Sequence, residues 1–275
     1  MHDWLFSRAR RRPDSIALID ADHGESWTYR ELNEWVSRRA GRLASQGVEP
    51  GDRVGILHGR SPDVVSAFWA VFRTGGVAVM LDVTESSAVL STAMKTAAVT
   101  HLLVGPEMLE TGRTAASAST TILSLGPTNG PDVIALDEVA AESRPPVDRS
   151  IDRTVLVMFT SGTTGDPKGV RLTPRNLGAS AAGTAFRLGV SRGDRWLLTL
   201  PTYHMGGLSI PIRTALYGTT TVIEREFDVS STADTVAEYD ITGFSLVPTM
   251  LRRLVREGWR PETLRFALVG GAPTP

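Results

Sequence analysis

The sequence predicts an α/β fold, and three observations carry that reading. Short β-branched and apolar runs recur along the chain, each followed by a longer stretch with apolar residues at helical spacing. The two kinds of segment alternate in βαβαβ order, the pattern of a doubly wound, mostly parallel sheet. Glycine and proline fall where such helices would begin and end.

The first half sets the pattern. Residues before Pro13 read as a short amphipathic helix, and basic residues after its apolar ones are the reverse of a signal peptide. Ile16 to Ile19 is a short strand with which Ser26 to Tyr29 can pair. Thr28 and Glu31 have the T-x-x-E spacing of a capping box. Leu32, Trp35, Val36, Ala40, Leu43 and Ala44 then form one apolar stripe, closed by Gly47. Val54 to Leu57 is a buried strand. Ser61-Pro62 opens a helix through Val64, Val65, Phe68, Val71 and Phe72, stopped by Gly75-Gly76. Val77 to Leu81 is a strand, Ser87 to Ala97 a helix, and His101 to Val104 a strand. From Pro106 to Arg149 the periodicity weakens, and Arg144-Pro145-Pro146 reads as a connection. The expected organisation is a first α/β subdomain over 1–149 and a second over 150–275.

The second half repeats the rhythm. Thr154 to Phe159 is a buried strand that delivers a loop. Pro174 to Leu188 is a helix, Arg195 to Leu200 a strand, Gly207 to Tyr217 a helix, and Thr219 to Glu224 a strand. Ser231 to Tyr239, Ile241 to Val247, Pro248 to Glu257 and Leu264 to Val269 continue as helix, strand, helix and strand.

Bulk properties exclude several classes. An apolar share of 41% and a charged share of 21% are those of an ordinary globular chain. A net charge of −1 gives no electrostatic case for nucleic acid. There is no cysteine, hence no disulfide or thiolate metal site. His2, His23, His58, His101 and His204 are scattered without ligand spacing, and no residue is assigned to a metal. No apolar run has the length of a membrane span, so a cytoplasmic enzyme is expected, with a homo-oligomer left open.

The chemistry lies in the loop Thr160-Ser161-Gly162-Thr163-Thr164-Gly165-Asp166-Pro167-Lys168-Gly169. Glycines let backbone N–H groups approach an anion, hydroxyls donate to phosphate oxygens, and a lysine adds a mobile positive charge. A plain Ser/Thr/Gly/Pro connection is the bland alternative. The loop is not a Walker P-loop, because Lys168 lies between Pro167 and Gly169 rather than in Gly-Lys-Ser/Thr. It resembles the phosphate-gripping loop of the AMP-forming adenylating enzymes: acyl-CoA synthetases, luciferases and adenylation domains. The resemblance implies stacked, mostly parallel sheets flanked by helices, the large N-terminal domain of that fold, here truncated. It implies ATP, Mg²⁺ and CoA as reactants. It places Thr160, Ser161, Gly162, Thr163, Thr164, Gly165 and Lys168 on ATP phosphates.

Two further segments follow strands. Pro201-Thr202-Tyr203-His204-Met205-Gly206-Gly207 puts a histidine between an aromatic residue and two glycines, at a strand end where open α/β sheets bind ligands. It resembles the family's aromatic-histidine motif, which makes His204 an expected catalytic and substrate-binding residue, beside the loop's Lys168 as the other expected catalytic residue, and Tyr203 and Gly207 substrate-binding. The stretch Leu200 to Arg213 resembles the ligases that join 2-succinylbenzoate to CoA in menaquinone biosynthesis. There Arg213 would hold the second carboxylate of the acid, since a guanidinium fork suits a carboxylate. A surface arginine on an amphipathic helix remains the alternative, and Pro211 leaves its direction open. Gly270, Gly271, Ala272 and Pro273 correspond by resemblance to the adenine-binding segment. Other aryl, fatty or amino acids remain open as substrates, and the chain alone is expected to bind nucleotide without turnover.

Overall fold

Parallel strands need long crossover connections, and this chain supplies most of them as helices. The structure, a computed structural model, describes residues 3–128, 130, 132–142, 150–160 and 168–271. In chain order, α1 (Trp4–Arg11) leads to β1 (Ile16–Asp20), β2 (Glu25–Thr28), α2 (Tyr29–Ser45), β3 (Arg53–Leu57), α3 (Pro62–Thr74) and β4 (Val77–Met80). Next come α4 (Ser87–Ala97), β5 (His101–Val104), α5 (Leu109–Ala115), β6 (Thr121–Ser124), β7 (Val133–Ala135), β8 (Leu156–Thr160) and β9 (Lys168–Leu172). The remainder is α6 (Pro174–Leu188), β10 (Arg195–Leu198), α7 (Met205–Tyr217), β11 (Thr220–Ile223), α8 (Val229–Glu238), β12 (Gly243–Leu246), α9 (Pro248–Arg256) and β13 (Phe266–Val269).

The chain forms two compact units. One is built mainly from Asn33–Gly59 and Asp63–Leu177, the other from Trp4–Leu32, Arg60–Pro62 and the segment from Gly178 onward.

The first unit holds a seven-stranded sheet in the order β7-β6-β5-β3-β4-β8-β9. Every pairing in it is parallel except that of β8 with the edge strand β9. β3, β4 and β5 are buried along nearly their whole length, as expected of strands covered on both faces. Leu57, Val79, Leu90, Met94, Leu102 and Val104 belong to its core. The α4 helix that covers this core is capped at Ser86, whose side chain accepts from the Val89 amide.

The second unit holds a six-stranded sheet in the order β13-β12-β10-β11-β1-β2, parallel except for the β1–β2 pair. Its core gathers Ile19, Leu197, Val222, Val236, Phe244, Leu246 and Leu254. The expected capping box is present. Glu31 Oε2 accepts from the Thr28 amide and hydroxyl, both at 2.8 Å, and Thr28 Oγ1 accepts from the Glu31 amide at 3.2 Å. The structure adds an analogous box that periodicity did not show, between Thr173 and Asn176 at the start of α6.

Both sheets reverse direction. In the first unit the chain runs from β3 out to β4 and returns to β5 on the other side of β3; in the second it runs from β10 out to β11 and returns to β12. Such reversal points open a crevice at the carboxyl ends of the strands.

Candidate active site

The phosphate-loop candidate is framed by a hairpin. Thr160 ends β8 and Lys168 begins β9, and the two are partners across the antiparallel ladder. Both are exposed, at the carboxyl edge of the parallel strands. Lys168-Gly169, read as loop from the sequence, belongs to the strand Lys168–Leu172. Ladder pairing with β8 extends the chain there, although a largely exposed edge strand has little apolar periodicity to announce it. A Cβ on Gly169 would come within 3.0 Å of Val157 Cγ1, so this glycine also serves strand packing. Ser161, Gly162, Thr163, Thr164 and Gly165 lie outside the described residues.

The second unit places the histidine segment at its reversal point. Residues Thr199 to His204 leave the carboxyl end of β10, beside β12. His204 occupies the N-cap position of α7 and is exposed, whereas Tyr203 is half-buried with its ring centroid 4.8 Å from that of His204. No side chain caps this helix start, and its first turn carries no acidic residue. An uncapped helix N-terminus presents unpaired N–H groups and a partial positive charge, which favours an anion. Two buried hydroxyls flank the turn, those of Thr199 and Thr202, and neither has a partner among the described residues. Buried hydroxyls are normally paired, so this end of the sheet has unmet hydrogen-bonding capacity.

Gly207 is fixed by sterics rather than by exposure. A Cβ there would lie 2.2 Å from the Pro201 carbonyl oxygen and 2.6 Å from that of Leu200. Only glycine lets the first turn of α7 press so closely on the strand end.

Arg213 is not a surface residue. It is 6% exposed, within α7, with its guanidinium carbon 4.5 Å from the centroid of the Trp196 ring. Its Nε donates to the Ser209 carbonyl at 3.1 Å and Nη2 donates to the Ser209 hydroxyl. The fork expected from the sequence is thus largely committed within the protein, and only Nη1 is buried without a partner among the described residues. Burial pushes the Arg213 pKa down, with the neighbouring Tyr217 opposing that shift.

Gly270 follows β13 and Gly271 lies at φ +88°, and both are exposed. The Gly270 amide donates to the Leu246 carbonyl, which carries the parallel β12–β13 pairing to its end. A Cβ on Gly270 would meet nothing within 4 Å, leaving open space over this backbone. Ala272 and Pro273 lie outside the described residues.

Arg60 belongs with this edge and was not singled out in the sequence. Its Nε donates to the Glu224 carbonyl at 3.2 Å and its Nη2 to that of Arg225, just past β11. Burial lowers its pKa, while Tyr203 and the acidic side chains of Glu224, Glu226 and Asp22 oppose the shift. A lone arginine before a helix carries no signal in one sequence; only the crossing of the chain brings it here.

The fold is that of an α/β protein with two mostly parallel sheets, and the chain belongs to the AMP-binding enzyme family, whose pattern matches residues 5–275. The 2-succinylbenzoate--CoA ligase of Bacillus velezensis is 34% identical over 275 residues, covering 99% of this chain and 54% of that protein. The o-succinylbenzoate CoA synthetase (MenE) of Bacillus subtilis, in complex with the acyl-adenylate intermediate OSB-AMP, superposes with a TM-score of 0.89 at 33% identity. That match covers 100% of this chain and 55% of the other. The same enzyme in complex with ATP and magnesium ion matches with a TM-score of 0.87 at 32% identity, covering 99% and 55%. The chain therefore spans about half the length of the curated relatives it matches. Among the described residues, no helix is long and apolar enough to cross a membrane.

Proposed function

We propose that this chain is the nucleotide- and acid-binding part of an ATP-dependent acid–CoA ligase, with 2-succinylbenzoate as the acid. In the reaction, the carboxylate attacks the α-phosphate of ATP, giving an acyl-adenylate and pyrophosphate. The CoA thiol then displaces AMP and forms the thioester. The observation that carries the reading is the identity, over nearly the whole chain, with ligases of that acid. The geometry agrees with it. An exposed His204 stands at an uncapped helix N-terminus, an arrangement that favours a carboxylate. Thr160 and Lys168, paired across the hairpin, frame the loop proposed to hold the leaving pyrophosphate. The exposed Gly270 and Gly271 backbone suits the flat adenine ring. Arg213 Nη1 is proposed to receive the second carboxylate of the acid.

Among the described residues no group of three or more His, Asp or Glu could hold a metal. Magnesium is therefore proposed to arrive with the ATP phosphates, which demand few protein ligands. The reading places the protein in the cytoplasm, where ATP and CoA are present. For the chain taken alone we propose nucleotide binding.

Calorimetric titration tests this directly. ATP should bind the chain, and 2-succinylbenzoate should bind more tightly than benzoate, which lacks the second carboxylate. In the full-length protein, 2-succinylbenzoate should drive exchange of pyrophosphate into ATP. No exchange with any acid would end the ligase reading, and exchange with other acids only would end the substrate assignment.

A further inference from the structure

Helix α7 carries His204 at its N-cap and Arg213 on a buried face, so its placement sets the acid site proposed above. The helix is weak in its middle. Pro211 lies inside it and offers no amide to the Gly207 carbonyl. Arg213, on the far side of Pro211, bonds back to Ser209 and so ties the two sides of the proline together.

The carboxyl end of α7 is held from outside. A helix end leaves carbonyls unpaired and carries partial negative charge, yet α7 has no basic residue in its last turn. The cations come from α1. Arg8 Nε donates to the Ala215 carbonyl at 3.3 Å, its Nη2 donates to that of Leu216, and Arg12 Nη1 donates to that of Gly218 at 3.2 Å. From the start of α2, the Tyr29 hydroxyl is shared between the Thr214 carbonyl at 3.0 Å and the Thr219 carbonyl at 2.7 Å. Tyr29 is 1% exposed. Gly218 takes φ +79° as the helix cap, and a Cβ there would press within 3.1 Å of Arg8 Cδ.

We propose that Arg8 and Tyr29 are positioning residues for the acid site, acting through the axial placement of α7. The inference rests on the assignment of His204 and Arg213 to that site. One end of the helix is pinned by these donors. The other end packs its Gly207 backbone closely against the Pro201 and Leu200 carbonyls. Because the Arg213–Ser209 bonds tie the two sides of Pro211 together, a shift at the pinned end is transmitted toward the turn that bears His204.

Amide hydrogen exchange and calorimetry on Tyr29→Phe, Arg8→Ala and Arg8→Lys test this. Tyr29→Phe and Arg8→Ala should accelerate exchange along α7, including 208–210 beyond Pro211, while β10 and β12 keep their protection. Affinity for 2-succinylbenzoate should fall about fivefold in each, the scale of one lost hydrogen bond, with ATP affinity unchanged. Arg8→Lys should recover part of the loss by restoring the charge. Faster exchange confined to 214–219 with acid affinity intact overturns the proposal, as does a uniform rise across the sheet with both ligands weakened. Should Arg8→Ala fail to fold, Tyr29→Phe decides the matter, since it removes one oxygen. If the unaltered chain binds no acid, exchange at 208–210 alone decides the positioning role.

Discussion

The guanidinium of Arg213 lies over the indole of Trp196, with its central carbon 4.5 Å from the ring centroid. Trp196 is itself tied down, its Nε1 donating to Ser245 Oγ at 2.9 Å and its ring meeting that of Phe266 edge-on at 4.8 Å. A buried cation on a fixed aromatic face joins α7 to β10, β12 and β13 at once. Removing the charge while keeping volume, as in Arg213→Met, should lower stability by about 2 kcal/mol. It should also weaken 2-succinylbenzoate binding about tenfold and leave ATP binding unchanged. Arg213→Lys should not restore either property, because an ammonium lacks the planar face and fork. Urea unfolding and calorimetry measure both; unaltered acid affinity in Arg213→Met would take this residue out of the site.

The adjacent glycines of α7 should respond in opposite ways. Gly207→Ala places a Cβ against two backbone carbonyls that cannot give way. A loss of about 3 kcal/mol is expected, with displacement of the His204 turn. Gly206→Ala meets only the tip of the Leu200 side chain, at 3.2 Å, and should be close to neutral or gain up to about 1 kcal/mol from helix propensity. Equal losses in the two variants, by urea unfolding, would contradict the packing described for this turn.

Lys168 should discriminate between nucleotides. It is exposed and paired in register with Thr160. If it serves the outer phosphates, Lys168→Ala should weaken ATP binding by about 2 kcal/mol, the scale of a hydrogen bond to a charged group, and barely touch AMP. Equal losses for ATP and AMP, by calorimetry, would move Lys168 away from that role.

Glu224 gives the second unit a distinctive pH response. It is 3% exposed, and burial raises its pKa. Donation from the Thr232, Ser231 and Thr235 hydroxyls opposes that shift, and nearby Asp22 adds to it. A carboxyl with a raised folded-state pKa binds its proton more tightly in the folded protein. Its contribution is therefore fully present below the unfolded value of about 4.3 and is lost as pH rises through the folded value. Asp228, the α8 cap, runs the other way, because amide donors lower its pKa. Glu224→Gln should raise stability near neutral pH relative to the parent and flatten the decline above about pH 4. Urea midpoints across that range measure the effect, and an unchanged pH slope in the variant would refute it.

Much of the fold was legible because local rules and tertiary packing agree. The stripe from Leu32 to Ala44 became the buried face of α2, and the T-x-x-E spacing at Thr28 became a two-way cap. The short strands β6 and β7 were not seen, because TILS and VIA are too brief to show a period against their polar surroundings. β9 was missed for a related reason. Its signal is pairing with β8 rather than burial.

The sequence by itself determined the α/β class, the family and the positions of the strand-end segments. Each of those is written in contiguous residues, as glycine spacing, caps and apolar periods. Tertiary structure decided that α1 and β1 join the unit formed by the chain's second half, that Arg60 reaches the carbonyls beyond β11, and that Arg213 is buried over Trp196. These depend on strand order and on contacts between residues far apart in the chain. No local period encodes such contacts, and they exist only once burial makes a cation on an indole, or arginines at a helix end, better placed than in water.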